Sequence, residues 1–118
     1  MQSRTGIYGR YSDTKQDDGF SIEYQLTECQ AYLDKNGMPL TKTYIDQAIT
    51  GTKVAGREAF HELIHDVKNG LIDVVVVYKY SRIFRNAYES HKYRKLFKKH
   101  GVKLISVTQA VDDETSSG

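Results

Sequence analysis

The stretch that decides the fold is Ile72-Asp73-Val74-Val75-Val76-Val77-Tyr78, which continues as Lys79-Tyr80-Ser81-Arg82-Ile83-Phe84-Arg85. Four successive valines leave no polar position for a solvent-facing side. Such a run is expected of a strand buried on both faces, and strands of that kind belong to parallel sheets covered by helices. A second segment, Ile7-Tyr8-Gly9-Arg10-Tyr11-Ser12, follows the same design. Each begins β-prone and delivers arginine where the strand should stop. The first also delivers a serine hydroxyl. In an open α/β sheet, ligands bind beyond the carboxyl ends of the strands. One hydroxyl and several guanidinium groups can therefore converge on one crevice.

Working outward, hydrophobic period alternates between strand and helix. Residues 6–11 read as a first strand. Ser21 is a plausible N-cap for a helix to about residue 36, with Ile22, Leu26, Cys29 and Leu33 on one face. Gly37 and Pro39 stop it. Residues 40–45 read as a strand and 46–56 as a loop. A helix over 58–69 carries the stripe Phe60, Leu63, Ile64 and Val67 and ends at Gly70. Residues 72–78 form the third strand and 86–99 the third helix, with Tyr93, Leu96 and Phe97 as its apolar set and Gly101 as its stop. Residues 102–107 read as a fourth strand. The order βαβαβαβ predicts a three-layer α/β fold. Its sheet is mostly parallel, with at least four strands and helices on both faces.

Bulk properties narrow the class. The chain has 118 residues, 39% hydrophobic and 27% charged, which suits one domain with an ordinary core. We divide it into a folded domain, 1–110, and an acidic tail, 111–118. No apolar run is long enough to span a membrane, and the N-terminus lacks a secretory h-region. Cys29 is alone, so neither an internal disulfide nor a cysteine zinc cluster is available. These features fit a cytoplasmic setting. The net charge of +2 is a weak sign of nucleic-acid binding. Distribution says more. Of six arginines, four (Arg10, Arg57, Arg82 and Arg85) fall at loops or strand ends. The eleven lysines are scattered, as on a solvated surface.

This set suits attack on a phosphodiester. Guanidinium forks match phosphate oxygens and stay charged, and serine forms covalent intermediates once activated. Tyr8, Arg10 and Ser12 share one side of their strand. Arg82 and Arg85 share a face if a helical turn starts there. A serine after a strand is also an ordinary turn residue, and a single arginine is usually a surface ion-pair partner.

The spaced motifs resemble a family. Tyr8-x-Arg10-x-Ser12, Asp17-Asp18-Gly19-Phe20-Ser21-Ile22-Glu23 with Gln25, and Tyr44-Ile45-Asp46 are similar to the catalytic domain of serine recombinases. So are Gly51-Thr52, Gly56-Arg57-Glu58-Ala59-Phe60, the stretch Ser81 to Asn86, and Gly101-Val102. The likeness is strongest to large serine integrases and transposon recombinases, which are bacterial or phage-encoded. It implies a site-specific DNA recombinase with Ser12 as nucleophile. A 5′-phosphoserine intermediate and a free 3′ hydroxyl would form, and strands would exchange and rejoin without ATP. It implies Arg10, Arg57, Arg82 and Arg85 as a phosphate clamp, with Tyr8, Gln25, Asp46, Lys79 and Ser81 in support. Asp46 would hold an arginine in place, or is a loop-starting carboxylate. Gln25 would orient a phosphate or an arginine. No metal or other cofactor is implied. The partners would be double-stranded DNA and further copies of the chain, a dimer and then an active tetramer, with no membrane. In the family a long helix follows, so the chain reads as a catalytic-domain fragment that stops before it. One departure stands out: Ser81 occupies a position where the family usually has aspartate. The general acid and base are therefore left open.

Two other readings compete. One is a non-catalytic α/β phosphate-binding or regulatory module. The other is a zinc metallohydrolase, because His61-Glu62-Leu63-Ile64-His65 matches H-E-x-x-H on a predicted helix. The stripe Phe60, Leu63, Ile64 and Val67 takes the buried face of that helix. At about 100° per residue both histidines lie well round from it.

Overall fold

A computed structural model describes residues 4–12, 21–48 and 57–108. The motif residues Asp17 to Phe20, Gly51, Thr52 and Gly56, and the tail 111–118, lie outside the described residues. Four strands and three helices alternate: β1 (Thr5–Ser12), α1 (Ile22–Lys35), β2 (Leu40–Ala48), α2 (Glu58–Lys68), β3 (Val74–Val77), a 3₁₀ turn (Tyr80–Arg82), α3 (Ala87–Lys99) and β4 (Lys103–Ser106). The sheet has the order β2-β1-β3-β4, and every pairing is parallel.

That order reverses direction once. The chain steps from β1 outward to β2, then returns across β1 to β3 and on to β4. Parallel crossovers are right-handed, so α1 must cover one face and α2 with α3 the other. The two cores agree. Ile7, Val74, Val76, Tyr78 and Ile105 pack with Cys29 and Leu33 of α1. Tyr8, Val75, Val77 and Leu104 pack with Phe60, Leu63 and Val67 of α2 and Phe97 of α3. The valine run thus divides between both layers, as its composition requires. Each such buried side chain contributes roughly 1.5–3 kcal/mol.

The helices start and stop where their caps dictate. The Ser21 hydroxyl accepts from the Tyr24 N–H at 3.1 Å, and the Asn86 side chain accepts from the Glu89 N–H at 2.8 Å. β2 differs from expectation. It continues through Asp46, Gln47 and Ala48, which pair with Arg10, Tyr11 and Ser12. Polar side chains hid this extension, and the pairing with β1 supplies it. β1 itself pairs with β3 only as far as Tyr8, opposite Val77. It therefore runs four residues past the end of β3, about 13 Å at strand rise. The crevice at the switch in strand order opens beside that overhang.

Two glycines allow close approach in β1. A Cβ on Gly9 would sit 2.6 Å from Ile22 Cδ1, which lets the first turn of α1 lie against the strand end. A Cβ on Gly6 would sit 2.9 Å from Tyr44 Cε1. The Tyr44 ring is buried and its hydroxyl donates to Asp66 at 2.6 Å, so it has little room to yield. Gly→Ala in a strand usually gains a few tenths to about 1 kcal/mol from the unfolded chain; here overpacking should win. We expect Gly6→Ala to destabilise by roughly 1–3 kcal/mol, read as a lower midpoint in chemical denaturation. An unchanged or higher midpoint would show that the ring yields.

Candidate active site

The overhanging end of β1 is tied to the exit of β3 through Arg10. Its Nη2 donates to the Ser81 carbonyl at 2.9 Å and its Nε to the Arg82 carbonyl at 3.2 Å. A 3₁₀ turn leaves such carbonyls without helical partners, and a planar fork reaches two of them together. The next carbonyl along, that of Ile83, accepts from Arg57 Nη2 at 3.3 Å. Three successive carbonyls, 81 to 83, are therefore held by two guanidinium groups from different elements. Behind them, Gln25 Nε2 donates to the Arg10 carbonyl at 3.0 Å, while its buried Oε1 has no partner among the described residues.

Arg57 sits at the N-cap position of α2 and is only 6% exposed. Its guanidinium lies 4.2 Å from the Phe60 ring centroid. Arginine cannot cap a helix with its side chain, and α2 has no side-chain cap of its own. Asp46 supplies one from β2. Its carboxylate accepts from the Ala59 N–H at 2.8 Å, the Phe60 N–H at 2.9 Å and the Tyr8 hydroxyl at 2.6 Å. A carboxylate at a helix N-terminus also meets the favourable end of the helix dipole. Asp46 thereby fixes the backbone that carries Arg57. Burial, and then the bond to Asp46, push the Tyr8 hydroxyl well above the ordinary tyrosine range, so it remains a donor. Tyr8 lies wholly buried beneath the strand end.

The other sequence candidates divide by exposure. Arg82 is buried, Arg85 and Ser81 are exposed, and Lys79 is half-buried. Ser81 contributes its backbone carbonyl to Arg10, and no carboxylate stands in the 3₁₀ turn. β1 ends at Ser12, paired opposite Ala48; its side chain lies outside the described residues. Next to the turn is an open cavity of about 240 Å³, lined by Tyr80, Ser81, Arg85, Asn86 and Ser90 among others.

Glu89 is the residue that sequence reasoning missed. Its Oε1 accepts from the Arg85 N–H at 2.9 Å, and its Oε2 from Arg85 Nε and Nη2 at 3.0 and 2.9 Å. Oε1 also lies 3.4 Å from Arg57 Nη2. One carboxylate therefore joins two candidate arginines. Burial raises its pKa, but the Arg85 hydrogen bonds and the charges of Arg57 and Arg85 outweigh burial and hold it below the usual glutamate range. Two local signals pointed to it. Asn86-x-x-Glu89 has the spacing of a capping box, and Arg85 with Glu89 has helical i,i+4 spacing.

The zinc motif takes a different role. His61 and His65 are both exposed. Glu62 pairs with Lys42, which also bonds Asp66. Among the described residues no group of three or more His, Cys, Asp or Glu side chains is placed to hold a metal ion. No helix among them is long and apolar enough to cross a membrane.

Residues 5–118 match the family model for the resolvase N-terminal domain. The chain belongs to the resolvase family, whose members are site-specific recombinases, and this domain is their catalytic domain. It is similar to a resolvase family site-specific recombinase from Streptococcus pneumoniae, at 29% identity and a TM-score of 0.82, over 96% of this chain and 77% of that one. It is similar also to the N-terminal catalytic domain of TP901-1 integrase, at 28% identity and a TM-score of 0.79, over 98% and 85% of the two chains. The C-terminal catalytic domain of ISC1926 TnpA, an IS607-like serine recombinase, shares the fold at 23% identity and a TM-score of 0.71, over 97% and 76%.

The Glu89 arrangement gives a pH prediction. A folded-state pKa below the unfolded one stabilises the fold above about pH 4, and that stability is lost as pH falls through the folded value. At pH 6, Glu89→Gln should lose about 1–3 kcal/mol, because it leaves the buried Arg57 short of a charged partner. As pH falls through the folded value the gap to the parent chain should narrow, since protonated glutamate resembles glutamine. A gap that stays constant with pH would show that Glu89 acts through packing alone.

Proposed function

We propose that this domain cleaves and rejoins double-stranded DNA through Ser12. The serine oxygen attacks a backbone phosphorus, the P–O3′ bond breaks, and the 5′ phosphate stays on the serine. The 3′ oxygen departs and takes a proton, while the serine hydroxyl loses one. Ser81 offers a hydroxyl rather than a carboxylate, so the reading assigns no carboxylate at that position to either transfer. The phosphoserine is itself an ester, so a new 3′ hydroxyl can displace it without ATP. Exchange requires four breaks, so four subunits would act together, built from dimers. A bacterial or phage-encoded protein meets such DNA in the cytoplasm.

The observation that carries the reading is the pair of arginines on carbonyls 81 to 83, beside the strand that ends in Ser12. It supports a cationic crevice fixed before substrate arrives. Donors held in place ahead of the reaction stabilise the charge that grows on non-bridging phosphate oxygens without reorganising. In this reading Arg10, Arg57 and Arg82 form the preset part of the clamp and Arg85 its exposed rim. Lys79 adds charge nearby. Tyr8, Gln25 and Asp46 hold the elements that carry the arginines. The domain would occupy residues 1–110 and the acidic tail 111–118.

Ser12→Ala in the full-length recombinase should abolish strand cleavage and leave DNA binding nearly intact. Residual cleavage near the parent level would remove Ser12 as nucleophile. Cleavage should persist in EDTA, and a loss restored by zinc would revive the metallohydrolase reading.

Arg10→Lys tests the clamp itself. One ammonium cannot span two carbonyls with a planar fork. Cleavage should slow by roughly 10²-fold or more, the scale of losing one preorganised donor. A rate near the parent level would reduce Arg10 to a simple positive charge.

A further inference from the structure

The lysines that look scattered in sequence gather on one helix face. Tyr88, His91, Lys92, Lys95, Lys98 and Lys99 of α3 are all exposed. At about 100° per residue they fall within an arc of about 120°, and no acidic residue shares that arc. The single acidic residue of α3, Glu89, points elsewhere, onto Arg85 and Arg57. Among the described residues no carboxylate lies within ion-pair distance of Lys92, Lys95, Lys98 or Lys99. The other helices have the opposite balance: α1 carries Glu23, Glu28 and Asp34, and α2 carries Glu58, Glu62 and Asp66. The modest net charge of +2 therefore conceals a strongly polarised surface.

Helix stability does not require this face. Lys98 and Lys99 complement the C-terminal dipole, but that effect is confined to the last turn and leaves Lys92 and Lys95 unexplained. A membrane-surface helix would set apolar side chains beside the basic ones. Here Phe97 is buried and Leu96 and Tyr93 are packed against the core, leaving only Tyr88, 72% exposed, on the outer face. What remains is a row of four lysines, Lys92 to Lys99, about 10 Å long at helical rise. That matches roughly three steps of one DNA strand at 3.4 Å each. The helix that carries the row has Asn86 as its N-cap, and Asn86 lines the cavity beside the 3₁₀ turn.

We propose that the outer face of α3 is a second DNA surface, a sequence-independent track that grips backbone phosphates away from the cleaved one. It rests on the reading of the chain as a DNA recombinase domain. Lys92, Lys95, Lys98 and Lys99 each meet a phosphate. Tyr88 sits at the end nearest the crevice, with Lys92 Nζ 6.0 Å from its ring centroid. From there its hydroxyl can reach phosphate or sugar, as tyrosines at DNA interfaces do. The track lines up the duplex with the catalytic crevice and carries no sequence information.

The test is anisotropy of a short labelled duplex titrated with the chain between about 50 and about 200 mM salt. Lys95→Glu and Lys35→Glu alter net charge equally, and Lys35 lies at the end of α1. Lys95→Glu should weaken binding roughly five- to tenfold, and Lys35→Glu by less than about twofold. Replacing Lys92, Lys95, Lys98 and Lys99 together by glutamine should flatten the salt slope by about 3.6 units, near 0.9 per lost phosphate contact. Circular dichroism and unfolding midpoints check that each variant folds. Equal weakening by both glutamate variants, an unchanged salt slope, or no DNA binding by the parent chain would each overturn the proposal. So would Lys95-dependent binding to phosphatidylserine vesicles or an acidic protein with none to DNA. Cleavage by the full-length protein reports separately on the recombinase reading, so either idea can fail while the other stands.

Discussion

Two arginines on three consecutive carbonyls are the constraint on which the rest depends. Arg10 comes from the central strand and Arg57 from the start of α2, and both donate to the segment 81–83 that leaves β3. A buried guanidinium is costly unless its donors are satisfied. A 3₁₀ turn exposes carbonyls that need donors. Arg57 Nη2 meets the Ile83 carbonyl here, while its buried Nη1 has no partner among the described residues. Charged hydrogen bonds of this kind are worth about 1.5–3 kcal/mol each, and their geometry fixes three elements against one another at one end of the sheet.

Much of the surrounding structure serves to hold those arginines. Gln25 pins the backbone of Arg10 from α1. Asp46 caps α2 and so sets the residue that begins it, Arg57, while Tyr8 orients the cap from below. Glu89 gathers Arg57 and Arg85 from the other side. The supports come from β1, α1, β2 and α3. Packing of the two cores therefore reaches the crevice as position rather than as contact. That is the arrangement the proposed phosphate clamp needs, because side chains anchored in this way would not have to reorganise on binding.

The fold was legible because its signals are strong and local. Four valines buried on both faces admit one kind of sheet, and the stripe Phe60, Leu63, Ile64 and Val67 admits one helix face. The role of Asp46 was not legible, since a cap donated across 13 residues leaves no local pattern. One indirect sign existed: α2 opens on Arg57, a poor cap, so its N–H groups had to be met from elsewhere. Glu89 was legible in principle from its spacing to Arg85 and Asn86. The basic face of α3 was hidden by linear reading. Lysines three and four apart look dispersed until the helix winds them onto one side.

The central assignment is a covalent bond between one residue and DNA, and it can be observed directly. The full-length protein would be quenched on a substrate that stalls after cleavage, digested with nuclease and protease, and analysed by mass spectrometry. A 5′-linked nucleotide on the peptide that contains Ser12, attached at that residue, is the expected result. An adduct on any other residue, or DNA cut with no adduct at all, contradicts the assignment.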